Sequence, residues 1–166
     1  VRQIPYNRAV RKDPRFAVLI KSRRQTHIGE AFYTPNDPSW SYLAKQPGVP
    51  GHHTINMHGS HDRVAVGDVT FSAKDLANFL RSKYSSWDGQ PINLMSCSAG
   101  KGDNPIAQQL ANILGVPVRA GSDIVWLCRD GSNYVSSWTR NKEGRRVPTW
   151  PPDGTWVTFF PSRRKG

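Results

Sequence analysis

Short apolar blocks separated by turn-forming and charged residues run along this chain, and the spacing inside each block predicts an element. Phe16-Ala17-Val18-Leu19-Ile20 is a continuous apolar run with charge on both sides, which reads as a buried strand. Thr54-Ile55-Asn56-Met57 and Ile92-Asn93-Leu94-Met95-Ser96 are two further runs of strand length. Between them the segment Asp62 to Thr70 reads as a short hairpin or an extended segment, with a turn at Gly67-Asp68. Ser72 followed by Asp75 has the form of a helix N-cap, and Leu76, Phe79 and Leu80 make an apolar stripe that should end near Tyr84. Trp87-Asp88-Gly89 is a turn. Pro105 suits a first helical position; Ile106, Leu110 and Leu114 repeat every four residues, and Gly115 stops that helix.

Val116 to Ala120 reads as the next strand. Strand, helix, strand, helix, strand implies crossover connections and a parallel sheet, hence an α/β fold whose mainly parallel sheet is flanked by helices. The last third differs. Ile124 to Cys128 and Tyr134 to Thr139, joined at Asp130-Gly131, predict a β-hairpin. Pro148 to Pro152 interrupts, and Thr155 to Phe160 is a final strand. Residues 34–53, rich in Pro, Gly, Ser and Asn around Trp40 and Tyr42, form a long loop, and loops of that length are usually functional or mobile. Residues 1–14 read as a basic arm and 15–166 as one domain.

Composition adds two constraints. The 166 residues suffice for one packed core, and no run approaches the roughly 18–20 apolar residues of a membrane-spanning helix. The start at Val1 rather than Met, with no signal peptide in view, points to a processed piece or an excised domain. The net charge of +11 is concentrated towards the termini, at Arg2, Arg8, Arg11, Lys12 and Arg15 and at Arg145, Arg146, Arg163, Arg164 and Lys165. It fits either a solvated surface or a polyanionic partner such as nucleic acid. The two cysteines, Cys97 and Cys128, allow one disulfide but no disulfide framework and no thiolate zinc site.

The candidate chemistry lies at two strand ends. The first run delivers His58-Gly59-Ser60 and the second Cys97-Ser98-Ala99-Gly100. In an open α/β sheet, ligands gather beyond the carboxyl ends of the strands. If the two strands are parallel neighbours, a thiol and an imidazole emerge together, and that pair is sufficient for nucleophilic catalysis. Taken singly, Cys97 reads equally as a buried structural thiol, and His58 as a satisfied histidine at a strand end. The small residues around Cys97 leave backbone amides for a developing oxyanion. Asp62, Asp68 or a backbone carbonyl could orient the imidazole. A metal site from His52, His53, His58, His61 and Asp62 is disfavoured. A five-residue strand holds the two histidine pairs roughly 16 Å apart, and their spacing matches no metal motif.

With those residues in view, the chain resembles the caspase-like cysteine peptidases, which include caspases, gingipains and the self-cleaving protease domains of large bacterial toxins. Met57-His58-Gly59 and Leu94-Met95-Ser96-Cys97 carry the likeness; 39 residues separate His58 from Cys97, against roughly 50 in caspases. From Leu94 to Trp126, through Ala107-Gln108-Gln109-Leu110-Ala111 and Leu114-Gly115-Val116-Pro117-Val118, the chain is also similar to the C-terminal domains of Rhs and YD-repeat polymorphic toxins. The resemblance implies Cys97 as nucleophile and His58 as general base and acid. It implies Gly59 and Cys97 amides as oxyanion hole, and a substrate pocket near Ala120, Gly121, Ser122 and Trp126. It implies a secreted effector acting on a protein in the cytosol of a target cell, with an immunity protein or the parent toxin shell as further partner. Nucleic acid is the less favoured partner. No cofactor is required; inositol hexakisphosphate on the basic C-terminal β region would be the one addition. Departures are Ser96 where caspases carry Ala, Gly100 one place late, and no arginine set for an acidic side chain.

Overall fold

The computed structural model describes residues 13–162. The basic arm expected over residues 1–14 therefore falls, up to residue 12, outside the described residues, as do Arg163, Arg164 and Lys165. The chain enters through α1 (Pro14–Ser22), not a strand. A five-residue apolar run is ambiguous between the two, and its flanks decide. The Asp13 side chain accepts the Arg15 N–H at 2.9 Å and Pro14 opens the first turn, so the run is helical, with Phe16 and Leu19 buried.

Two strands follow that the apolar pattern did not announce, β1 (Arg23–Gln25) and β2 (Gly29–Phe32). After them come a 3-10 turn at Pro38–Tyr42, then β3 (His53–Gly59), β4 (Val64–Val66) and β5 (Val69–Phe71). Helix α2 (Ala73–Leu80) has the expected reciprocal cap between Ser72 and Asp75, and ends at Arg81, a turn earlier than expected. Then come β6 (Ile92–Met95), α3 (Ile106–Leu114), closed by Gly115 in the left-handed region, and β7 (Val118–Gly121). The C-terminal part carries β8 (Val125–Leu127) paired with β9 (Asn133–Val135), and a second hairpin of β10 (Trp138–Arg140) and β11 (Arg146–Pro148). Trp138 and Thr139 thus belong to a hairpin of their own. The last strand, β12 (Trp156–Phe159), closes the main sheet.

The fold is α/β: the main sheet runs β1-β2-β3-β6-β7-β12, with β2, β3, β6 and β7 mutually parallel and antiparallel strands at both edges. Alternation along the strands sorts their side chains. Phe32, Ile55, Met57, Ile92, Leu94 and Ala120 join one buried cluster with Phe16, Leu76, Phe79, Ile106 and Leu110 of the three helices. Fully burying a side chain of that size contributes about 1.5–3 kcal/mol of transfer free energy. The residues in between face the other way, where Ala31, Tyr33 and Leu43 pack with Trp40 and Leu127. That second face carries the candidate site. Among the described residues no helix is long and apolar enough to cross a membrane.

Candidate active site

Register brings the two candidate residues level. The β3–β6 ladder pairs His53 with Ile92 and continues to Asn56 with Met95. Two steps further along the same offset stand His58 and Cys97. Both strands are parallel, so both residues leave the sheet at its carboxyl edge. They line one cleft of about 190 Å³ with Tyr33, Ser39, Tyr42, Met57, Met95, Val125, Trp126 and Leu127. The tip of β3 must come close to β6. A Cβ on Gly59 would collide with the Ser96 hydroxyl and lie 3.0 Å from the Arg63 carbonyl, which explains the small residue after the histidine. Beyond Cys97 the chain turns sharply: Ser98 has a φ of 58°, a left-handed conformation uncommon outside glycine. Its amide is held by the Asp123 carbonyl at 3.0 Å.

The ladder sets which way the amides near the strand ends point. His53 N–H donates to Pro91 O and Thr54 N–H to Ile28 O, so odd-numbered amides of β3 face β6 and even ones face β2. Gly59 continues the odd series and turns its N–H to the β6 side. Ile92 N–H donates to Pro117 O, towards β7, so the odd amides of β6, which ends at Met95, face β3.

The orienting group is Asp37, a residue sequence reasoning did not single out. His58 Nε2 lies 2.7 Å from Asp37 Oδ2, whereas Asp62 bonds the Ser60 hydroxyl at 3.0 Å instead. Asp37 is itself fixed as the cap of the 3-10 turn, accepting the Ser39 N–H at 2.8 Å on its other oxygen. The local signal was present: Asp followed by Pro is a cap written in sequence. What it caps, and that the turn folds back over His58, is not local. Tyr33 completes the group. The β2–β3 register pairs Phe32 with Met57, so Tyr33 stands level with His58, and the two rings meet edge-on with centroids 5.0 Å apart.

Electrostatics assign states. Burial pushes the Asp37 carboxyl up, but hydrogen bonds from Ser39 and His58 outweigh it, and the group is held below the ordinary carboxylate range. It is an anion facing the imidazole. Burial pushes the Cys97 thiol up, nearby Asp123 adds to the rise, and the Val125 peptide offsets part of it. Sγ lies 3.9 Å from the Val125 carbonyl oxygen. Cys97 therefore rests as a thiol rather than as a preformed thiolate. Burial, Asp37 and Cys97 together raise the Tyr33 phenol, so it stays protonated.

Of the residues expected in the substrate pocket, Trp126 lines the cleft and the other three do not. Ala120 is buried in the helix-side core, because alternation along β7 turns it away. Gly121 packs against Val125 and Val135, and Ser122 bonds Thr155 of the β12 approach. The remaining histidines are dispersed. His53 is buried against Glu30 at 2.6 Å, and His52 Nδ1 lies 2.9 Å from the Pro50 carbonyl. His61 lies 3.9 Å from Asp62. Both cysteines are free thiols.

Fold and cleft together define an α/β domain with a thiol and a carboxylate-bound imidazole at adjacent strand ends. The chain belongs to the family described as Domain of unknown function (DUF8616), whose sequence model matches residues 29–135. That span includes Tyr33, Asp37, His58, Cys97 and Trp126, and stops at the end of β9, before the β10–β11 hairpin. No curated protein matches the chain.

Proposed function

We propose that the domain is a cysteine endopeptidase that uses Cys97, His58 and Asp37. The observation that carries this is the 2.7 Å contact between His58 and a buried-side carboxylate, in the cleft that also holds Cys97. A nucleophile, a base, and a third group orienting the base is the arrangement that thiol hydrolysis needs. Asp37 accepts from Nε2, so the neutral imidazole carries its proton there and Nδ1 is the nitrogen for proton transfer.

The reaction runs in two halves. Nδ1 takes the thiol proton as Sγ attacks the peptide carbonyl, and the carbonyl π pair moves onto oxygen, facing the Gly59 and Cys97 amides. The tetrahedral adduct collapses, the C–N bond breaks, and the imidazolium protonates the leaving amine. A thioester remains. His58 then takes a proton from water, hydroxide adds to the thioester, the C–S bond breaks, and sulfur recovers a proton. The raised thiol fits a general-base start on the bound substrate, not a standing ion pair.

The test is cleavage of a mixed peptide library by the wild type, Cys97→Ala and His58→Ala. Loss of cleavage in both variants supports the reading; full cleavage by either refutes the mechanism. Service as the effector or processing domain of a secreted toxin, acting on a protein in a target cell, is part of the same proposal and is supported by the resemblance alone.

A second reading, nucleic-acid binding, is favoured by one feature. The β10–β11 hairpin exposes Arg140, Lys142, Arg145 and Arg146, and Arg146 and Arg140 flank the Trp138 ring at 4.2 and 5.4 Å. It requires binding that weakens steeply with salt.

A further inference from the structure

Two ring contacts converge on Tyr33. Its ring meets the His58 ring edge-on, centroids 5.0 Å apart and planes at 69°. The opposite support comes from Trp40, whose ring meets Tyr33 at 5.2 Å and 85°. Trp40 in turn is pinned by its indole N–H, which donates to Thr34 O at 2.8 Å, and by the Arg24 guanidinium 4.1 Å over its ring. Tyr33 is only 3% exposed, so it has little freedom to move. The Asp37 carboxylate on the far side of His58 is fixed in turn by the Ser39 backbone N–H at 2.8 Å.

We propose that Tyr33 is a positioning residue for His58, holding the imidazole edge-on so that Nε2 stays on Asp37 and Nδ1 stays turned to the thiol side. The physical need is plain. The His58 side chain is half exposed, and one hydrogen bond leaves a ring free to rotate about the bond axis. A packed aromatic edge restricts that freedom, because edge-to-face contact at this separation is one of the favoured geometries of aromatic pairs. The His58–Asp37 bond sets which nitrogen is protonated, and Tyr33 sets where the other one points. The proposal concerns the imidazole itself; only its kinetic arm rests on the peptidase reading.

The experiment compares wild type, Tyr33→Phe and Tyr33→Leu by nitrogen-15 NMR of the His58 ring across pH, with folding checked by near-ultraviolet circular dichroism. In the wild type the neutral ring should be one tautomer, protonated at Nε2, with a ring proton shifted by the Tyr33 ring current. Tyr33→Phe keeps the edge and should keep that signature. Tyr33→Leu should give a mixture of tautomers, and where peptide cleavage is measurable, kcat lower by about 10–100-fold at little-changed KM. The ring-current shift is lost with the ring in any case, and a folded Tyr33→Leu protein that keeps the single Nε2-protonated tautomer overturns the proposal. So does a wild-type His58 without the ring-current shift, a readout that needs no variant. If the tautomer mixes in Tyr33→Leu while Cys97→Ala still cleaves peptides, the peptidase reading falls and the positioning role stands. If Cys97 proves essential and the tautomer stays single in Tyr33→Leu, only the positioning role falls.

Discussion

His58 Nε2 and Asp37 Oδ2 lie 2.7 Å apart although 21 residues separate them along the chain. The contact joins the tip of β3 to the 3-10 turn that crosses the sheet between β2 and β3. It fixes the orientation of a histidine at a strand end, and it makes the long 34–53 loop part of the cleft.

The first prediction concerns that contact. Asp37→Asn keeps the shape and loses the charge, and its amide can donate as well as accept, so the tautomer is no longer held. Peptide cleavage should fall by about 10²–10⁴-fold, the usual weight of positioned acid–base catalysis. The check is kcat/KM over a pH series beside Asp62→Asn, which should retain activity. Equal losses in the two variants would remove Asp37 from the mechanism.

The second concerns the thiol. Burial raises the Cys97 proton affinity, so iodoacetamide should label it slowly at neutral pH. The rate should climb tenfold per pH unit to beyond about 8.5, the ordinary thiol value. Mass spectrometry of the labelled cysteine decides it. Rapid labelling of Cys97 at or below neutral pH would mean a preformed thiolate–imidazolium pair instead.

The third concerns a buried carboxylate away from the cleft. Glu30 is 0% exposed and receives Arg23, His53 and Ser85, each at 2.6 Å. Burial pushes its proton affinity up, and these three bonds, with His53 charge, bring it below the ordinary value. A carboxyl lowered in the folded state stabilises fully above its unfolded value of about 4.3. That contribution drains as pH falls through the lower folded value. Urea unfolding between pH 7 and 3 should show wild type losing more stability in acid than Glu30→Gln. Glu30→Ala, which strands its partners, should cost about 3–5 kcal/mol at pH 7. Parallel acid profiles for wild type and Glu30→Gln would contradict the linkage.

The fourth concerns the glycine beside the base. Gly59→Ala places a methyl against the Ser96 hydroxyl, an overpacking that should cost about 1–3 kcal/mol. Adding Ser96→Ala removes the hydroxyl and leaves an ordinary 3.5 Å contact with the Ser96 Cβ, though the 3.0 Å approach to Arg63 O persists. Thermal denaturation should therefore show partial rescue. No rescue would place the cost in the Arg63 carbonyl alone.

Much of the architecture was legible because it is written locally. The Ser72–Asp75 cap, the Gly115 stop, the four-residue stripe of α3 and the two strands ending in His58 and Cys97 each depend on neighbours a turn or a pleat away. Period and capping chemistry report those directly, and the shared position of a thiol and an imidazole followed from parallel pairing. Where local cues competed, the reading of the run at Phe16 went astray, since five apolar residues fit strand or helix and only the Asp13-Pro14 cap separates them. β2 stayed hidden because Glu30 breaks its apolar run, and the partners that make that carboxylate tolerable inside come from β1, β3 and the segment after α2. Ala120 could be placed in a strand but not on a face, so its expected role in the pocket yielded to register. Asp37 and Tyr33 were decided by tertiary structure alone. Neither spacing nor composition ties them to His58; the alignment of β2 with β3 and the return of the 3-10 turn over the sheet do, through contacts between residues that the chain itself keeps far apart.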